Sequence, residues 1–82
     1  MLITFDETKR QSNLIKHGLD FADLTLEFFE SAVIFDAAQD RLKALGTFAG
    51  EIVVAVVFKP LGSEALTIIS MRPASRKERS LL

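Results

Sequence analysis

Eighty-two residues, 49% hydrophobic and 26% charged, are enough for one packed domain spanning residues 1–82 and exclude both a second domain and intrinsic disorder. The absence of cysteine excludes a disulfide framework and a thiolate zinc site. The net charge of −1 hides a segregation: Gly18 to Asp40 holds six acids and no Lys or Arg, whereas Arg72 to Leu82 holds Arg72, Arg76, Lys77 and Arg79 against the single acid Glu78. Such asymmetry is an electrostatic precondition for gripping phosphate on one face while staying near neutral overall. It is equally what two solvated helix faces would produce.

In chain order, the start Met1-Leu2-Ile3-Thr4-Phe5 has no basic segment and no long apolar stretch, so it does not read as a secretory signal. Leu2 to Phe5 predicts a short strand, and Asp6 is placed to cap a helix over Glu7 to His17 that Gly18 ends. Asp20, followed by Phe21, Leu24 and Phe28 at helical spacing, predicts a second helix with a wide apolar face made with Ala22, Leu26 and Phe29. Phe21, Phe28 and Phe58 are expected in the core rather than in an RNA-stacking set.

Strands are predicted at Ala32 to Phe35 and at Arg41 to Phe48, where Leu42, Ala44 and Gly46 alternate with Arg41, Lys43 and Leu45. Ile52 to Phe58 has no polar position, which predicts a central strand covered on both faces and is far too short to span a bilayer. A turn is expected at Pro60 to Ser63. Glu64 to Met71 forms the last predicted strand, with Leu66, Ile68, Ser70 and Arg72 on one side by the two-residue period. Pro73 is expected to stop pairing, and Ser75-Arg76-Lys77-Glu78 matches the capping box that opens a short basic helix. Helices grouped ahead of an antiparallel run of about four strands predict an α+β fold.

The segment Phe5-Asp6-Glu7-Thr8-Lys9, then Asn13, then Lys16-His17-Gly18-Leu19-Asp20-Phe21, resembles the N-terminal signature of the BrnT family. Ile68-Ile69-Ser70-Met71-Arg72-Pro73-Ala74-Ser75 through Glu78-Arg79 is similar to that family's C-terminal motif. Two motifs in the right order cover nearly the whole chain. The chain departs from the family's usual pattern in the compressed Asp36 to Arg41 segment and in lacking an aromatic residue after Arg79. The resemblance implies a RelE-like fold, a ribonuclease toxin that arrests translation, and a cognate antitoxin, expected to be a DNA-binding protein of the ribbon-helix-helix type.

Cleaving RNA by internal transfer needs a base for the 2′-hydroxyl, an acid for the leaving oxygen and cations around the transition state. Arg72, at a strand exit beside the basic helix, is the first candidate, with Arg76 and Arg79 placed to converge on the same phosphate. His17 is the one side chain whose reference pKa of ~6.5 suits proton transfer both ways, although a His before a helix-ending Gly also complements the helix dipole. Glu78 is a candidate base whose position is equally explained by capping. Lys9, Lys16, Arg41, Lys43 and Lys77 are candidate RNA contacts. One His and no Cys leave no credible metal site, and no cofactor is expected. The partners expected are the antitoxin and RNA, free or on the ribosome, in the cytoplasm and not at a membrane. Two other readings stay open: a non-catalytic toxin homologue that binds a partner protein, and a homodimer or larger homo-oligomer burying Phe28, Phe29, Leu81 and Leu82.

Overall fold

The computed structural model describes residues 1–82. Strand β1 (Leu2–Phe5) leads into helix α1 (Glu7–His17), a 3-10 turn (Phe21–Asp23) and helix α2 (Leu26–Ser31); β2 (Val33–Ala37), β3 (Arg41–Phe48), β4 (Ile52–Leu61) and β5 (Ala65–Pro73) follow, and helix α3 (Arg76–Arg79) closes the chain. The five strands form one sheet in the order β1-β5-β4-β3-β2. Strands β2 to β5 pair antiparallel, as expected, whereas β1 joins as a fifth strand parallel to β5. Because β1 and β2 occupy opposite edges, the chain between them must cross the sheet, and it does so over one face, packing α1 on β5 and α2 on β3.

The caps of α1 follow the sequence: Asp6 accepts from the Lys9 amide at 3.3 Å, and Gly18, at φ 68°, donates to the Leu14 carbonyl at 2.8 Å. The second predicted helix is broken. Asp20 caps only the 3-10 turn, the backbone turns extended at Leu24 and Thr25, and Thr25 caps α2 afresh by accepting from the Phe28 amide. Two capping residues five apart restart the helix, because each offers its amides a side-chain partner in place of the preceding turn. Phe21, Leu24 and Phe28 are nonetheless all buried.

The core lies between the helices and one face of the sheet, where Ala44, Val54, Val56, Phe58, Leu66, Ile68 and Met71 meet Leu19, Phe21, Leu24 and Phe28. Strand β4 is central, as expected, but only its middle, Val54 to Val56, is fully covered, and Ile52 at its start is exposed. It runs through Pro60, displacing the expected turn to residues 62–64. Its pairing with β3 ends at Phe58, so at Pro60 it is locally an edge, where a missing amide proton is tolerated. Pro73 likewise pairs, with Val54, as the last residue of β5.

The most consequential departure is a bulge in β5. Phe58 stands opposite Ile68 while the preceding Val57 stands opposite Ser70, so Ile69 is the extra residue. The inward set is therefore Leu66, Ile68 and Met71, and the two-residue period that grouped Ser70 and Arg72 with Leu66 fails at Ile69. Ser70 and Arg72 emerge on the opposite face, in line with Val57 and Ala55 of β4 and with Lys43 and Leu45 of β3.

Candidate active site

On that second face, Arg72 and Lys43 flank β4 from either side, and Glu78 of α3 bridges them. Glu78 lies in the capping box read from the sequence: its amide donates to Ser75 Oγ at 3.1 Å and its Oε1 accepts from the Ser75 amide at 2.9 Å. Its carboxylate also takes Arg72 Nη1 at 2.6 Å, Arg72 Nη2 at 2.9 Å and Lys43 Nζ at 2.8 Å. The Arg72 guanidinium, then the Lys43 ammonium and the Ser75 amide, hold the Glu78 carboxyl well below the usual carboxylate range despite its burial. A carboxylate so engaged is a poor proton acceptor, which favours a structural role for Glu78 over that of a base. Arg72, raised above its ordinary value by the same pairing, is permanently cationic, and its side chain keeps 39% of its exposure.

Ser70 and Arg72, two residues apart on one strand face, stand about 7 Å from each other along the chain. Ser70 also lines a shallow hollow with Ile69 and, from α1, Thr8, Lys9, Ser12, Asn13, Lys16 and His17. At about 260 Å³ the hollow is smaller than the ~300 to 1,000 Å³ of small-molecule clefts. A larger hollow beside α2 carries Asp23 and Glu27 and no cation, the wrong sign for RNA.

The structure thus brings Lys9, Lys16 and His17 together at one site and Arg72, Lys43 and Glu78 at the adjoining one. Arg76, Lys77 and Arg79 are exposed on α3, and none of their side chains bonds to the Arg72 cluster, so the expected convergence of Arg76 and Arg79 is not seen. Arg41 shares the face of Lys43 but sits beside Asp36 and Asp40 around the β2–β3 turn.

One residue in the first motif had no role in the sequence reading. Asn13, buried on α1, donates to the Leu19 carbonyl at 3.1 Å and accepts from the Met71 amide at 3.1 Å. Pairing of β1 with β5 ends at Ile68, so the edge of β5 beyond it lacks a strand neighbour, and Asn13 supplies one contact in its place. It thereby ties the helix carrying His17 to the strand carrying Arg72. Its only signal in the sequence was its place in the first motif. No group of three His, Asp or Glu side chains stands close enough to hold a metal ion. No helix is long and apolar enough to cross a membrane.

No curated protein matches the chain. Among solved structures it is similar to the 1.1 Å crystal structure of the Brucella abortus ribonuclease toxin BrnT, with 62% identity and a TM-score of 0.88 over 93% of this chain and 99% of that one. A family model described as the ribonuclease toxin BrnT of type II toxin–antitoxin systems matches residues 5–78. With the strand order, the helical cover and both motifs in agreement, the chain belongs to the BrnT family of ribonuclease toxins of type II toxin–antitoxin systems.

Proposed function

We propose that this chain is an endoribonuclease that cleaves RNA in the cytoplasm to arrest translation, and that a cognate DNA-binding antitoxin neutralises it. The observation that carries the reading is the convergence of Arg72 and Lys43 on the sheet face that carries α3, next to a hollow holding Lys9, Lys16 and His17. Arg72 and Lys43 stabilise the charge that develops on the phosphate, because fixed cations in a partly dry site need no reorganisation as the reaction proceeds. Lys9 and Lys16 hold the flanking phosphates, and His17 moves the proton.

The test is RNA degradation by the purified chain, with and without ribosomes and with a chelator present. Cleavage that survives the chelator and falls about 100- to 1,000-fold in Arg72→Ala supports the assignment. Undiminished cleavage in Arg72→Ala removes this site, and no cleavage under any condition leaves a partner-binding toxin homologue.

A further inference from the structure

The Arg72 guanidinium has five N–H donors, and its protein contacts leave a specific pair unused. Nη1 is taken by Glu78 Oε1 and by the Pro73 carbonyl at 3.3 Å, and one Nη2 proton goes to Glu78 Oε2. What remains is Nε–H and the second Nη2 proton, which lie parallel along one side of the guanidinium and match two oxygens of a phosphate. Lys43 spends one of its three ammonium protons on the same carboxylate and keeps two. We propose that Glu78 is a positioning residue: it locks Arg72 end-on so that the free side of the guanidinium, with the Lys43 ammonium, forms a preset cradle for the phosphate under attack. This rests on the nuclease reading above and replaces the role of base for Glu78.

Charge and geometry pull in opposite directions here, which makes the proposal testable. The cluster carries two cations and one anion. Removing the anion strengthens the attraction for RNA, so a site working by net charge alone improves when Glu78 is neutralised. A site working by orientation gets worse. Glu78→Gln keeps the length and one acceptor for Ser75 and Arg72, but turns its amide protons on Arg72 Nη2 and Lys43 Nζ, donor against donor.

Steady-state cleavage of a single-stranded RNA by the full chain is therefore expected to show kcat lowered about 10- to 100-fold in Glu78→Gln with KM unchanged or reduced. Ser75→Ala, which deletes the cap hydroxyl and leaves the clamp on Arg72, is the control for helix stability and should keep kcat within about twofold of the parent. Unchanged kcat in Glu78→Gln, or equal losses in both variants, overturns the proposal. Should the parent chain cleave no RNA, the nuclease reading falls and the cradle is judged separately by NMR with inorganic phosphate. The Arg72 Nε–H signal is then expected to be sharp and phosphate-sensitive in the parent and averaged away in Glu78→Gln. The same signal and the same phosphate response in both chains refute the positioning role.

Discussion

Replacing Asn13 by Ala should be among the most damaging single changes in the molecule, although it removes only a small polar group. The Leu19 carbonyl and the Met71 amide would both lose their partner in a place that water does not reach freely, since Asn13 is 7% exposed. Each orphaned buried group costs about 1–3 kcal/mol, so the pair should cost about 3 kcal/mol. Against a total of about 4–12 kcal/mol for a chain of this length, that is a quarter or more of the stability. With a urea slope of about 1 kcal/mol/M for a small domain, the unfolding midpoint should fall by about 3 M at unchanged slope. Ser12→Ala, its exposed helical neighbour, should move the midpoint by less than about 0.5 M. Hydrogen exchange adds a local readout: the Met71 amide should be protected in the parent and fast in Asn13→Ala. A midpoint shift below about 0.5 M, or retained protection at Met71, would refute the latch between α1 and β5.

Three further outcomes follow from the same geometry. The carboxyls of Glu78 and Asp20 are held below their ordinary range, chiefly by Arg72 and Arg10, so their contribution is present above the unfolded pKa values of ~4 and lost as pH falls through the folded ones. The stability gap between the parent and Glu78→Gln should thus narrow as urea titrations move from about pH 5 to pH 2, and a constant gap contradicts the pairing. Ala49 sits at φ 55° in the β3–β4 turn, a conformation costing an L-residue about 1–2 kcal/mol, and Ala49→Asn should recover about 1 kcal/mol, raising Tm by several degrees in a thermal melt. A Cβ on Gly46 would meet Phe28 Cε1 at 3.1 Å and the Ala32 Cβ at 3.3 Å, so Gly46→Ala should lower stability by about 1–3 kcal/mol, seen as a reduced urea midpoint.

The features that were legible in the sequence are those set by neighbours in the chain. The capping box at Ser75 and Glu78, the end of α1 at Gly18 and the burial of Phe21, Leu24 and Phe28 each depend on residues within one or two helical turns. The apolar run from Ile52 onward reported a central strand because two covered faces leave little room for polar residues, and it overstated the cover at exposed Ile52 and at half-buried Val53 and Val57. The helix break at Thr25 was locally encoded too, yet masked, since an apolar stripe at helical spacing reads the same whether the helix is continuous or restarted.

The features that stayed hidden depend on what lies across the sheet. Nothing in Ile68-Ile69-Ser70 marks which isoleucine is extra; the bulge is a property of the register between β4 and β5, and it moves Arg72 from the core side to the side that carries α3. With Ile69 kept but paired regularly, Arg72 would project to the core face in line with Leu66 and Ile68, where a guanidinium has no partner. The Lys43–Glu78 contact spans 35 residues and exists only because β3 and β5 flank the same strand. The candidate site is therefore assembled by register rather than by motif: the second motif supplies Arg72 and Glu78, the bulge sets Arg72 on the face that carries α3, and Lys43 meets both there. Deleting Ile69 should accordingly remove the bulge and keep the site. With Ile68 followed directly by Ser70, regular pairing against Phe58, Val57, Val56 and Ala55 leaves Ile68 and Met71 inward and Ser70 and Arg72 outward, so the Lys43–Glu78–Arg72 cluster should still form. A folded deletion variant that has lost the parent's Arg72 Nε–H signal would show that the register does not place Arg72.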